Sequence, residues 1–436
     1  GGLPQAAAFL LVMLANLAAL AAAVLTDRAG RRAAAVGGVA VAGLALARAR
    51  GERAAVAAGF LGQAAAAVLL VAIARRAAAP PRGEPGRGGL GGLAAAWAGG
   101  MVLFMLLVFA YYAAYDRVLP YDNRALPALA AALLGLAGAA TLRGGSRPER
   151  PAGSHRPRTP DLVPVGVGVA LLVAPVLFWA SAPVPAGARA AGTAGPAPPV
   201  RVLSYNLHFG FDVRGWSDLE ATARTIEASG AEVVGLQEVS RGWYINGSTD
   251  MLAWLQRRLR MPYARFAGAS DAIWGNALLS RYPIAADGEV RLPREEVPLR
   301  RSSLWADLDL GAGRRLRVVV THLHHVEGPD GARVRQAQIP RLLGDAAGRP
   351  ATVLMGDLNA EPGSPEIAML RRAGLADAFA VAAGTPADEL TWPSDRPDRR
   401  IDYLWLSGDL AASGFVATSG TASDHRGVAA TVRPVP

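Results

Sequence analysis

Carboxylate, carboxamide and imidazole side chains stand at the ends of short apolar runs throughout the second half of the chain. Ala351-Thr-Val-Leu-Met355 runs directly into Gly356-Asp357-Leu358-Asn359. On an extended backbone, Asp357 and Asn359 face the same side. At the end of a buried strand both groups are costly unless water, a metal or a ligand meets them. The pattern recurs: VRVLSYNLH leads to Asn206 and His208, EVVGLQE to Glu238, and RLRVVVTHLHH to His322, His324 and His325. RIDYLWLS carries Asp402 one residue into an apolar run, and Ser423-Asp424-His425 directly precedes the last one. Each residue alone has a plainer reading. Asn206 could satisfy a turn, Glu238 could face solvent, His322 could be a bonded core imidazole, and Asp402 could pair with Arg400. Taken together, four carboxylates, two carboxamides and two imidazoles at strand ends form the set that divalent-metal phosphoester chemistry needs. Hard oxygen donors suit Mg²⁺ or Mn²⁺, and the absence of cysteine removes softer metal sites and disulfides.

These groups need a scaffold of alternating strands and helices. Strands are expected near 200–207, 232–238, 276–280, 302–309, 315–323, 351–357, 401–407 and 427–432. Ser217-x-x-Glu220 has the form of a capping box for a helix ending at Gly230. Thr249 or Asp250 caps a second helix, with Leu252, Leu255 and Leu259 on one face. Ser364-Pro365 opens a third, closed by Gly374. About 235 residues are ample for one large core.

The first half differs in kind. Six apolar runs, near 6–25, 33–47, 54–74, 90–115, 125–142 and 162–182, are separated by Arg clusters. Most are close to the roughly 20 residues that a bilayer core requires, and they lack the polar stripes of a soluble bundle. Residues 1–182 are therefore expected to form a membrane region of about six transmembrane helices. A Pro/Ala/Gly-rich linker follows over 183–199, and residues 200–436 form the polar domain. The loops after the first, third and fifth runs carry 12 Arg, against six in the others. By the positive-inside tendency, the polar domain lies outside the cytoplasm of an integral plasma-membrane protein. All 45 basic residues are Arg, a bias expected of a GC-rich, bacterial genome. The net charge of +10 is uneven: residues 1–199 hold 18 Arg and seven acidic residues, residues 200–436 hold 27 and 28. The polar domain thus has no field to gather nucleic acid.

The ordered set SYNLHFG, GLQE, GNALLSRYPI, VVTHLH, GDLNAEP, RIDYLWLS, SDHRGV resembles the endonuclease/exonuclease/phosphatase superfamily, which has the deoxyribonuclease I-like fold. The stretch from SYNLHFGFDVRGW to GLQEV, followed by WGNALLSRYPI, is most similar to the C-terminal domain of membrane proteins that remodel GPI-anchor lipid. The resemblance implies an α+β four-layer α/β/β/α sandwich, two mixed sheets with helices outside. It implies a membrane-anchored, metal-dependent phosphodiesterase or phosphatase acting on a lipid-linked or membrane-surface phosphoester. An extracytoplasmic nuclease and a non-catalytic domain in lipid-anchor remodelling are the alternatives. By the same resemblance Glu238 is the main Mg²⁺ ligand, with Asn206 beside it and Asp424 near the ion. Asp357 with Asn359 orients or deprotonates the attacking water. His425, held by Asp402, contacts the phosphate or serves as base. His322 stabilises developing charge or protonates the leaving group, and Asn276 matches a phosphate-side position. His208 stands where some nucleases have a further Asp. Trp243, Tyr244 and Trp274 could line a head-group site or fill the core.

Overall fold

The computed structural model describes residues 29–48, 52–77, 88–116, 125–142, 199–270, 273–294, 299–382 and 389–435. The chain divides into two compact units, residues 1–182 and 183–436.

Four helices are described in the first unit: α1 Ala29–Arg48, α2 Glu52–Ala77, α3 Gly88–Asp116 and α4 Ala125–Leu142. They coincide with four of the six apolar runs. Among the described residues, no helix is long and apolar enough to cross a membrane, so the expected six-span region is not supported. Ala and Gly dominate several of these helices and contribute little hydropathy per residue. The runs 6–25 and 162–182 and the linker at 183–198 lie outside the described residues, whereas Arg31, Arg32, Arg48, Arg53, Arg75 and Arg76 fall within the ends of α1 and α2. Small side chains bring α1 and α2 together. A Cβ on Gly38 would lie 3.2 Å from that of Ala65, and Ala35, Val39, Val68 and Leu69 are buried beside them.

The second unit is a four-layer sandwich. Sheet one has the order β11-β12-β1-β2-β4-β3, built from Leu410–Ala417, Val428–Pro434, Val200–Asn206, Val233–Ser240, Trp274–Ser280 and Tyr263–Gly268. Sheet two has the order β5-β6-β7-β8-β10-β9, from Ile284–Arg291, Ser302–Gly311, Arg314–His322, Thr352–Asp357, Asp402–Leu406 and Ala376–Asp377. Each sheet holds one parallel pair, β1 with β2 and β7 with β8, among antiparallel neighbours. The central strands β1, β2, β4, β8 and β10 are buried on both faces, so they read as apolar runs more than as alternation. Alternation survives in which layer each residue enters. In β8, Val353 and Met355 join the core between the sheets while Leu354 joins the outer core. In β1, Val202 points inward and Leu203 outward.

Two helices cover sheet one, α5 Leu219–Ala228 and α6 Met251–Arg258. Ile226, Leu252 and Leu255 pack there on Leu203, Leu236 and Leu279. On sheet two lie α7 Gly328–Ala346 and α8 Pro365–Arg372, whose Ile339, Leu342, Ile367 and Leu370 meet Val319, Leu354 and Trp405. Caps mark their starts. Asp250 accepts from the Ala253 amide and Ser364 from that of Ile367. The cap of α5 is Asp218, accepting from the Ala221 amide, and not the Ser217 of the expected capping box. Glu220 is drawn away instead, accepting from the Arg258 guanidinium at 2.7 Å.

The sheets approach closely where β2 faces β7 and β8. A Cβ on Gly235 would collide with the Met355 sulfur and lie 2.9 Å from its Cγ and 3.0 Å from Val320 Cγ2. Gly235→Val should therefore destabilise this unit by about 1–3 kcal/mol through overpacking. Met355→Ala should relieve part of that cost, so the double variant should lose less than the two singles combined. Urea unfolding followed by tryptophan fluorescence measures all three; strict additivity would mean that the sheets do not touch here.

Candidate active site

The ends of the two parallel pairs carry the polar groups. Asn206 ends β1 opposite Gln237 of β2, with Glu238 next along. His322 ends β7 opposite Asp357, which ends β8 and in turn faces Asp402, the first residue of β10. β8 fits against β7 because position 356 is Gly: a Cβ there would strike the Thr321 carbonyl oxygen. A register shift between Leu236 and Val239 inserts a bulge at the end of β2, and Glu238 sits in it at φ 54°. Such bulges re-aim a side chain. Asn359, His208 and Phe209 are also left-handed, at φ 48°, 45° and 56°. Non-glycine backbone of this kind costs energy and collects at functional sites.

Side chains converge on Asp357. Its Oδ2 accepts from Asn206 Nδ2 at 3.0 Å and lies 3.3 Å from His322 Nε2 and 3.6 Å from His425 Nε2. Its Oδ1 accepts from the Asn359 amide at 2.9 Å. His425 Nδ1 is 2.9 Å from Asp402 Oδ2, and its backbone amide donates to Ser423 Oγ at 3.2 Å. The Ser423 hydroxyl donates to the Asn206 carbonyl at 2.8 Å, tying the loop before β12 to the end of β1. Thr391 Oγ1 accepts from the Ile401 amide at 3.1 Å and steadies the entry to β10.

The site's charges follow from this crowding. Burial, then the nearby Asp424 carboxylate, pushes Glu238 up to about 8. Burial also raises Asp357, to about 6, against the pull of His425 and of its hydrogen bonds. Burial alone would lower His425, but the Asp402 and Asp357 carboxylates outweigh it and hold the imidazolium up to about 10. His322 goes the other way. Burial and the adjacent Arg301 guanidinium hold it well below the ordinary imidazole range.

Asn206, Asp357, Asn359, His322, Asp402 and His425 thus form one bonded group. Glu238 borders it, with Oε1 4.0 Å from His322 Nδ1. Asp424 lies at its edge, 3.8 Å from His208 Nδ1, and accepts from Trp392 Nε1 at 3.4 Å. Asn276 is placed differently: its Nδ2 donates to the Ser302 carbonyl at 2.8 Å, linking β4 of one sheet to β6 of the other. Asp402 does not pair with Arg400, whose guanidinium bonds Asp377 at 2.8 Å. Trp243 and Trp274 are buried in a parallel stack with Phe209, at 5.4 and 6.1 Å from its ring, while Tyr244 is exposed. Arg301 was not singled out by sequence, yet it bonds both His322 and His325. Nothing in its flanks distinguishes it from the other arginines. Ser423 stood in a recognised motif without a role.

Asp357, Asp402 and His425 lie close enough together to hold an ion. However, His425 Nδ1 is committed to Asp402, which makes this a proton-handling group. Glu238 fits a metal better. It is partly buried, and among the described residues its carboxylate accepts no hydrogen bond. Asp424 and the carboxamide oxygen of Asn206 add hard donors of the type that Mg²⁺ prefers.

A proton held more tightly by the folded than by the unfolded chain stabilises the fold, and His425 is raised from the ordinary 6.5 to about 10. That contribution is complete below about pH 6.5 and is lost as pH rises through about 10. In chelator, the gap in Tm between the wild type and Asp402→Asn should be widest near pH 6 and should narrow toward pH 10; a gap that grows with pH would contradict the assignment.

Residues 203–425 match the model of the Endonuclease/Exonuclease/phosphatase family. Protein cwh43 of Schizosaccharomyces pombe is 28% identical over 207 residues, 46% of this chain and 20% of the relative, so the match spans a fifth of that protein's length. The crystal structure of an endonuclease/exonuclease/phosphatase from Beutenbergia cavernae is similar at 25% identity and TM-score 0.47, covering 54% of this chain and 72% of that one. Sphingomyelinase C from Streptomyces griseocarneus is similar at 22% identity and TM-score 0.40, covering 54% and 99%. With the ordered motifs, the paired sheets and the family match in agreement, the chain belongs to the endonuclease/exonuclease/phosphatase family.

Proposed function

We propose that this chain hydrolyses a phosphoester with water as the nucleophile. The observation that carries the reading is the Asp402–His425 couple facing Asp357 across Asn206. Burial, against the pull of its hydrogen bonds, holds Asp357 up to about 6, and Asp357 is the group assigned to receive a proton from water. The water oxygen then bonds to phosphorus as the ester P–O bond breaks, and the departing oxygen takes up a proton from the medium. His425, oriented by Asp402, offers Nε2–H to a phosphoryl oxygen. A divalent ion, Mg²⁺ or Mn²⁺, held by Glu238, Asp424 and Asn206, would supply positive charge to the phosphoryl group.

The substrate is proposed to be a lipid-linked or membrane-surface phosphoester. α3 exposes Met101, Val102, Leu103, Phe104, Met105, Leu106 and Phe109, a continuous apolar run, and α4 exposes Leu129, Leu133 and Leu136. Apolar surface of this extent calls for lipid or a partner. The motif order supports a lipid-linked substrate, and the near-neutral charge of residues 200–436 weighs against nucleic acid. The Arg bias of the odd-numbered loops supports an extracytoplasmic active site.

Three experiments follow. The full chain is assayed with Mg²⁺ against DNA, a choline or ethanolamine phospholipid and a simple phosphodiester. Activity should vanish in chelator and in Glu238→Ala. Asp357→Ala and His425→Ala should each cost about 10²- to 10⁴-fold in kcat, and the double variant should be little worse than the poorer single. Undiminished turnover in chelator, or additive losses in kcat, would refute the scheme. Membrane residence is tested by alkaline carbonate extraction, where the chain should stay in the pellet. A reporter fused after Pro436 that is active only in the cytoplasm would overturn the orientation.

A further inference from the structure

Arg301 is buried, 2% exposed, at the start of β6. Its guanidinium lies over the Trp274 ring at 5.4 Å. Nη1 is 2.9 Å from His322 Nδ1 and Nη2 is 3.2 Å from His325 Nδ1. A guanidinium only donates, and it stays charged. Each Nδ1 it meets must therefore present a lone pair.

We infer that Arg301 is a positioning residue that locks His322 as the neutral imidazole protonated at Nε2, so that His322 serves the reaction as a fixed hydrogen-bond donor and not as a proton carrier. The inference rests on the hydrolytic reading of the site for its catalytic meaning, and on geometry alone for the tautomer. With Nδ1 as acceptor, Nε2–H points at Asp357 Oδ2, 3.3 Å away. The opposite tautomer would set two donors against each other at Arg301 and turn the Nε2 lone pair toward a carboxylate. Double protonation would place a second cation 2.9 Å from the guanidinium. The Asn359 carboxamide nitrogen, 3.1 Å from Nε2, also donates to the Leu323 carbonyl at 3.3 Å, so Asp357 Oδ2 is the acceptor left for Nε2–H. A guanidinium has no acceptor to turn, so Arg301 decides the tautomer. Neutral His322 agrees with its depressed basicity. Of its two expected roles, stabilising charge and protonating the leaving group, this leaves the first.

The test uses the full chain labelled with ¹⁵N-histidine, in chelator. With six histidines the ring spectrum is sparse, and His322→Gln assigns its signal. The expected signature is an unprotonated Nδ1 and a protonated Nε2, unchanged between pH 6 and 8. Arg301→Met should mix the tautomers and lower turnover about 100-fold, the size of losing one preorganised donor. Arg301→Lys restores a donor and should recover turnover to within about tenfold of the wild type. A protonated Nδ1 or an imidazolium at His322 in the wild type overturns the inference, as does a folded Arg301→Met with wild-type turnover. Should Arg301→Met not fold, the wild-type spectrum decides alone. Should no ester be hydrolysed, the reaction reading fails while the ring signature still judges the tautomer.

Discussion

Two buried carboxylates, Asp357 and Asp402, face each other across the antiparallel register of β8 and β10. Left alone they would repel at short range with little water to screen them. The imidazole of His425 resolves this, bound to one acid at 2.9 Å and lying 3.6 Å from the other. Its proton is shared electrostatic property of the pair, which is why it is held so firmly. Much of the surrounding architecture serves that arrangement. Gly356 lets β8 lie against β7, Thr391 steadies the entry to β10, and Ser423 pins the loop that delivers His425.

Around this cluster, histidines of the same composition behave in opposite ways. His425 sits among anions and keeps its proton, whereas His322 sits against a guanidinium and gives it up. Neighbouring groups a few ångströms apart are thereby held in different ionisation states at one pH. Glu238 occupies a third environment, its side chain largely withdrawn from water and beside another acid, with no hydrogen bond of its own among the described residues. Such a carboxylate is poised for a dication.

Much of the sandwich was legible because buried strands are written as local apolar runs. The eight expected strands all correspond to observed ones. β3, β5, β9 and β11, the four edge strands, were not expected: β9 is two residues long, and Ala, Gly and charged residues interrupt the others, so that β5 reads IAADGEVR and β11 LAASGFVA. The polar strand ends were visible for the same reason, as abrupt changes of character at Asn206, Glu238, His322 and Asp357. What could not be read was partnership. Whether Asp402 turned to Arg400 or His425 depended on where Asp377 lay, and the importance of Arg301 depended on two histidines some twenty residues away. The link that Asn276 makes between the sheets, through its amide and the Ser302 carbonyl, was equally invisible in its motif. The apolar runs of the first unit illustrate the opposite difficulty: composition announces them plainly, while the described helices fall short of a span.

The antiparallel pairing of β12 with β1 has a bearing on synthesis. The first strand of the sandwich finds its neighbour more than two hundred residues later, and Ser423 of the intervening loop bonds the carbonyl at the end of that first strand. A nascent chain emerging from the ribosome can set Glu238, His322 and Asp357 in place while β1 still has an open edge and no imidazole stands between the two acids. The phosphoester chemistry proposed for the finished domain therefore waits on the last strand and the loop before it, so the site closes only as the end of the domain is made.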